Sequence, residues 1–336
     1  MTQPPVRWGV LAPGAIAALF ASDLALVPGA ELAAVGSRDL ARATAFAKEY
    51  GGRDTRAYSS YEEVVADPGV DVVYVASPHA LHLEQALLAI EHGKPVLCEK
   101  PLTLDRATSE QLITTARDAG VLLMEAMWMA CSPVIRDLAD RLRAGDFGTP
   151  RHLSADLSFH FVTEPDHRLR NPALGGGALL DVGIYPLTFA HLMLGEALDL
   201  RAVAVLDTVP EGVSPRPVVD LDVSIAGRYP GDTLADLAAG FTSHSPITAC
   251  IRTDEGWIEV PTEFHHPTHF TFHRPDHDPV RFDPPVPRIG EGYGNEAVEV
   301  ARCLHEGLLE SPLVPHTQTL TIMGQLDDLR AQVGSG

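Results

Sequence analysis

Two short segments hold the residue types that proton transfer requires. The run Gly175–Leu187, GGGALLDVGIYPL, opens with three consecutive glycines, whose backbone can turn sharply and sit close to a bound ligand. An acid, Asp181, and a phenol, Tyr185, follow four residues apart, on one face if the segment is helical. Pro186 works against such a helix, because the residue before a proline avoids helical angles. Far upstream, Glu99-Lys100-Pro101 sets a cation at the end of an apolar strand, with the proline fixing the backbone beyond it. A free phenol has a pKa of about 10, so a neighbouring ammonium is what a tyrosine base needs at neutral pH. Each residue also has a plainer use: Lys100 in an ion pair, Asp181 as a helix-start acid, Tyr185 in a core.

The elements that must position these residues alternate in the first half of the chain. Strand signals at Val6–Leu11, Glu31–Gly36, Val70–Ala76, Pro95–Cys98 and Val121–Met124 are separated by helical patterns. Those helices run from after Gly14 to Leu26, then over Asp39–Tyr50, Leu81–His92 and Asp105–Ala119. The near-continuous apolar VDVVYVA is expected when helices cover both faces of a parallel sheet. The alternation predicts a doubly wound α/β Rossmann domain over residues 1–125.

In that fold a dinucleotide pyrophosphate lies on the first turn, against a helix N-terminus. Ala12, Pro13, Gly14, Ala15 and Ile16 occupy the turn here, and only Gly14 and Ala17 match the usual glycine pattern, with Ala12 replacing its first glycine. At the end of the second strand, Ser37, Arg38 and Arg42 offer a hydroxyl and two guanidiniums where a 2′-phosphate would lie. They favour NADP over NAD, with Asp39 expected as a helix N-cap rather than a ribose ligand. The loop Ser77, Pro78, His79 to His82 leaves the carboxyl end of a parallel strand and should face the nicotinamide half of the cofactor.

Beyond Glu125 the alternation stops, and residues 126–336 read as a second, α+β domain for substrate binding and dimerisation. Helices are expected at Pro133–Ala144 and Ala178–Leu194, and a strand at Arg151–Phe161. Strand-like runs then follow one another: Leu200–Asp207, Val218–Tyr229, Thr233–Thr242, Ala249–Arg252, Gly256–Val260 and Thr268–His273. Strands without intervening helices predict a large, open, mostly antiparallel sheet, a surface on which copies of a chain can pair as a dimer or tetramer. Two helices, Asn295–Leu309 and His316–Gln332, close the chain, the last expected near the glycine segment and either able to pack back on the first domain.

A net charge of −20 argues against nucleic acid and anionic membrane surfaces as partners. Cys98, Cys131, Cys250 and Cys303 are far apart, without zinc-site or disulfide-module spacing, which suits a cytoplasmic protein with reduced thiols. There is no signal-peptide pattern at the N-terminus and no uninterrupted apolar run of membrane-helix length. The stretch FHHPTHFTFHRPDHD, Phe264–Asp278, invites a metal, but its prolines and spacings do not build a zinc set, and no metal is expected. On a strand, His265, Pro267 and His269 would share one side. Trp128 could stack on a sugar or simply pack in a core, and Arg168 stands where it could reach substrate or cofactor.

Arg7-Trp8-Gly9, Cys98–Pro101, Met124-Glu125-Ala126, the glycine segment, Tyr293–Arg302, Glu310-Ser311-Pro312 and Pro315-His316 together resemble the glucose-fructose oxidoreductase/inositol dehydrogenase/MocA family. Within it the chain is most similar to the dihydrodiol dehydrogenase and NADP-dependent D-xylose dehydrogenase branch, since many inositol dehydrogenase relatives have histidine in place of Tyr185. The resemblance implies that Lys100 is catalytic, that Glu99, Lys100 and the Ser77–His82 loop contact the cofactor, and that members pair through the open sheet. It also implies hydride transfer from a carbinol carbon of an aldose or trans-diol to NADP. Tyr185 would take the hydroxyl proton, Lys100 would lower its pKa, and Asp181 would hold a neighbouring hydroxyl. Three other readings share these features: a non-catalytic NADP(H) sensor, an NAD-dependent glycosidase, and an enzyme that retains its cofactor to couple two sugars.

Overall fold

The computed structural model describes residues 4–161, 164, 167–208 and 218–335. Along the chain the first elements are β1 (Val6–Leu11), α1 (Ala15–Leu24), β2 (Ala30–Gly36), α2 (Leu40–Tyr50), β3 (Arg56–Tyr58), α3 (Tyr61–Ala66) and β4 (Val72–Val75). There follow α4 (His82–Glu91), β5 (Val96–Glu99), α5 (Arg106–Ala119), β6 (Leu123–Ala126) and α6 (Pro133–Ala144). Strands β1 to β6 form a parallel sheet in the order β3-β2-β1-β4-β5-β6. This is the doubly wound order, and its direction reverses between β1 and β4, where ligands bind in such sheets. The short β3 and α3 escape a periodicity reading because a three-residue strand shows no pattern. Asp39 and Asp105 do cap α2 and α5, accepting from the N–H groups of Ala41 and Thr108.

The chain continues with β7 (Pro150–Ser158), a π-helical turn at Leu179–Gly183, α7 (Ile184–Leu194), β8 (Asp199–Leu206), β9 (Asp220–Tyr229) and β10 (Thr233–Gly240). Then come β11 (Ala249–Thr253), β12 (Trp257–Val260), β13 (Phe270–His273), β14 (Val280–Phe282), α8 (Tyr293–Glu306) and α9 (His316–Val333). Strands β7 to β14 make one sheet in the order β14-β13-β12-β11-β7-β10-β9-β8, antiparallel except where β10 pairs with β7. Alternating buried and exposed residues along β9 and β10 bury one face and leave the other open. By compactness the chain divides into one unit of residues 1–131 with 288–320 and another of residues 132–287 with 321–336.

The core of the first unit includes Trp8, Phe20 and Tyr74, whose rings follow one another at 5.1 and 4.0 Å. In the second unit, α7 and the π turn pack on β7 and β10. Despite its polar interruptions, Pro172–Leu194 is long and apolar enough to cross a membrane, yet 83 % of its apolar stretch is buried inside the fold, as in a core helix.

Candidate functional site

The first turn has the shape its sequence only half encodes. Ala12 sits at φ +64°, the left-handed region that normally calls for glycine, so the conformation of the missing first glycine is kept at a cost of about 1 kcal/mol. Gly14 is the N-cap of α1, with no side-chain cap and no acid in the first helical turn. A Cβ on Gly14 would meet nothing closer than the Ala12 carbonyl oxygen at 3.9 Å, so the space before the helix is open. Uncapped amides facing open space suit a pyrophosphate. Ala15 is exposed and Ile16 half-buried. Arg42 donates to the Pro13 carbonyl at 3.2 Å, which brings one guanidinium beside this turn. Buried Ser37 accepts from the Asp39 N–H, and exposed Arg38 lines a cleft of ≈ 600 Å³ with Ser60, Tyr61, Leu81 and Gln85. Burial raises the Tyr61 phenol above its usual range, and Arg38 and Arg42 pull it the other way, so both cations lie near its hydroxyl.

The lysine turn is held by three buried side chains. Glu99 accepts from the Tyr74 hydroxyl and from the Lys100 N–H. His82, fully buried, has its ring nitrogens 2.9 Å from the Pro101 carbonyl and 2.8 Å from the Ser77 carbonyl. Glu125 accepts from the Leu102 N–H at 3.0 Å and from the Thr319 hydroxyl at 2.8 Å. Backbone groups just before and just after Lys100 are thereby fixed, while Lys100 itself stays half-buried. Burial pushes the Glu99 carboxyl up to about 7, with Tyr74 and Lys100 acting against it. Desolvation likewise raises Glu125 and lowers His82. His82 therefore locks the Ser77 loop to the lysine turn and has no surface left for a ligand, which corrects the expected cofactor contact. His79 is 7 % exposed, with its ring 5.7 Å from that of His82, and Pro78 is half-buried.

In the second unit the glycine run is shaped by close approach of the chain itself. Gly175 ends a short 3-10 turn at φ +75°. A Cβ on Gly176 would stand 2.8 Å from the carbonyl oxygens of Arg168 and Leu169. On Gly177, at φ +114°, it would meet the Asp220 carboxylate at 2.8 Å. Asp220, raised by burial, accepts from the Leu179 N–H at 2.6 Å and lies near Arg330 and Ser335, so the end of α9 does meet the glycine segment. The helix forms despite Pro186 because the proline directly follows the π turn, where the regular i→i−4 ladder is already interrupted and an absent N–H is accommodated. Asp181 and Tyr185 are each 7 % exposed.

Asp181 is not an isolated acid. Arg168, the arginine placed by its sequence position near substrate or cofactor, donates to Oδ1 of Asp181 at 3.0 Å. Arg170 forms a two-pronged pair with buried Asp207 at 3.0 and 2.6 Å. Trp128 is 5 % exposed, stacked on Tyr293 at 4.5 Å and against Gly292, where a Cβ would come within 2.9 Å of the indole. Its indole thus packs against Tyr293 and Gly292.

Sequence reasoning missed Glu296, Tyr74 and Thr319, which approach the lysine turn from distant segments. Glu296 is fully buried with both carboxylate oxygens lacking hydrogen-bond partners, and burial raises it well above the carboxylate range. The histidine-rich stretch is not one strand: β13 begins only at Phe270, and His265 lies with its ring 5.1 Å from that of Tyr185. Among the described residues no three His, Cys, Asp or Glu side chains are grouped to hold a metal.

Residues 6–127 match the GFO_IDH_MocA oxidoreductase family with NAD-binding Rossmann fold, and residues 135–259 match the GFO/IDH/MocA C-terminal domain. The chain is 32 % identical to a D-xylose 1-dehydrogenase (NADP(+)) from Hypocrea jecorina, over 98 % of this chain and 92 % of that one. It is 33 % identical to the mouse trans-1,2-dihydrobenzene-1,2-diol dehydrogenase, over 98 % and 97 %. Among solved structures, a 3-ketoreductase from Actinomadura kijaniata in complex with NADP and TDP-benzene superposes with a TM-score of 0.82, at 29 % identity over 98 % of each chain.

Proposed function

We propose, from the premise that this chain belongs to the GFO/IDH/MocA oxidoreductase family, that it oxidises one carbinol carbon of an aldose or trans-diol with NADP. The observation that carries this reading is the near full-length likeness to dehydrogenases named for D-xylose and for a dihydrobenzene diol. When bound, the nicotinamide supplies the hydride acceptor. The amides of Gly14, Ala15 and Ile16 would hold the pyrophosphate, with Ala12 and Pro13 shaping the turn, and Ser37, Arg38 and Arg42 would hold the 2′-phosphate. Ser77, Pro78, His79 and Glu99 would border the nicotinamide half, with His82 fixing that loop.

Tyr185 accepts the hydroxyl proton, and the Lys100 ammonium lowers the phenol's pKa and stabilises the alkoxide as it develops. Asp181, held by Arg168, orients a neighbouring hydroxyl. The first unit is thus the cofactor domain and the second the substrate domain.

The second unit would also carry the homo-oligomer contact. Register places exposed Val203 opposite Ser224 and Leu234 opposite Arg228, and the same open face carries Trp257. An exposed apolar face of that kind favours self-association.

Reduced-nicotinamide absorbance against a panel of aldoses, inositols and trans-diols, with NADP⁺ or NAD⁺, tests the activity. Tyr185→Phe is expected to lower kcat by about 10³-fold while NADPH affinity stays within about twofold. Wild-type turnover in that variant would remove Tyr185 from the chemistry.

A further inference from the structure

The segment joining β12 to β13 is anchored on α7. Phe264 is fully buried and meets Phe189 edge-on at 5.3 Å. The next residue, His265, lies with its ring 5.1 Å from the Tyr185 ring, at a tilt of 49°. The His266 ring stands 4.5 Å from that of His265, and its Nε2 is 3.6 Å from Oε2 of Glu263. Exposure rises along this series, from 7 % at Tyr185 through 13 % for the His266 side chain to 58 % for that of Glu263. Two imidazole rings thus lie in succession between a buried phenol and a carboxylate in water.

A buried tyrosine that accepts a proton in each turnover has to release it before the next. Imidazole, with an ordinary pKa of about 6.5, is the side chain suited to take up and pass on a proton at neutral pH. We propose that His265 is a positioning residue for Tyr185, receiving its proton and passing it through His266 toward Glu263 and water. The inference rests on Tyr185 as the proton acceptor. For each carbinol oxidised, the hydride leaves carbon with its electron pair for the nicotinamide, and the hydroxyl proton passes to the Tyr185 oxygen. That proton then leaves as H⁺ through the imidazoles, which return to their starting state. The titratable and charged groups around His265 are Tyr185 on α7, His266 and Glu263 on its own segment, and the Asp181–Arg168 pair one turn before Tyr185.

The test compares His265→Phe, which keeps an aromatic ring against Tyr185, with His265→Gln, which keeps a polar side chain. In the protein without ligands, labelled with 3-fluorotyrosine, the fluorine signal abolished by Tyr185→Phe reports on this phenol. That signal is expected to follow the titration of a neighbouring imidazole in the wild type and to lose that dependence in His265→Phe. With the panel substrate oxidised fastest, both variants are expected to lose about tenfold in kcat and to recover most of it when imidazole is added to the buffer. A signal that senses no titration, an undiminished kcat, or a loss that imidazole leaves unchanged would each overturn the relay. Tyr185→Phe should stay inactive with imidazole present. Full turnover there breaks the reading of Tyr185 itself, a separate outcome from failure of the relay.

Discussion

Around Lys100 the backbone is held by buried groups that titrate: Glu99 under the Lys100 N–H, His82 between the Ser77 and Pro101 carbonyls, and Glu125 on the Leu102 N–H. The segment that carries Tyr185 is shaped differently. Its path depends on the absence of Cβ atoms at Gly176 and Gly177, on apolar packing, on the Leu179 N–H bonded to buried Asp220, and on a partly exposed Arg168–Asp181 pair. A buried carboxyl or imidazole fixes geometry through directional bonds whose strength changes with protonation. Close backbone approach fixes geometry through sterics, which pH does not touch. The first unit should therefore answer mainly to pH and the second mainly to side-chain volume.

The comparison is broken most directly at Lys100 and Tyr185, the two groups proposed to react. Lys100→Ala is expected to cut kcat by about 10³-fold, as large an effect as Tyr185→Phe. Unlike the tyrosine variant, it should move the pH at which the remaining activity rises toward that of an unassisted phenol. A pH–rate profile of Lys100→Ala with the wild-type midpoint would show that the cation does not tune the base.

Glu99 offers the next largest effect. Its folded value of about 7 lies above the ordinary 4.5, so the folded state binds the proton more tightly than the unfolded state. Its contribution to stability is whole below about pH 4.5, falls as pH rises toward about 7, and is flat above that. The gap of about 2.5 units corresponds to about 3 kcal/mol, which Glu99→Gln should remove from the pH dependence. Urea unfolding of both proteins at the two ends of that window measures it, and parallel pH slopes would contradict the assignment.

Gly177→Ala tests the steric side. A Cβ at φ +114° and 2.8 Å from the Asp220 carboxylate should cost about 2 kcal/mol, equally at acid and neutral pH. A destabilisation that disappears at low pH would mean that the segment too depends on charge. The smallest effect belongs to Arg168→Ala. With its side chain 46 % exposed, its pair with Asp181 should be worth less than about 1 kcal/mol of stability, read from the thermal midpoint. Its larger signature should be a raised KM, because Asp181 loses the partner that orients it.

Much of the first unit was legible because its information is local. Asp39 and Asp105 cap helices within three residues of themselves, and VDVVYVA announces a buried strand by composition alone. Lys100 and Tyr185 stood out by residue type beside proline and glycine. The site was less legible where partners come from afar. The arginine of the Arg168–Asp181 pair, the imidazole on Tyr185 and the carboxyl of Glu296 are ordinary surface-type residues when read singly. The glycine run showed that the backbone must turn tightly but not what it turns against, which is Asp220 and the residues 168–171.

By itself the sequence determined the alternation of the parallel sheet, the succession of strands in the open one, the helix caps, and which side chains could move a proton. Each of these follows from dihedral preference and hydrophobic period over a few neighbouring residues. Only the tertiary structure decided that Trp128 packs on Tyr293, that His82 bridges two carbonyls, that Arg168 holds Asp181, and that His265 meets Tyr185. Those meetings depend on where sheets and loops bring distant segments together, and burial then sets the protonation of what meets there.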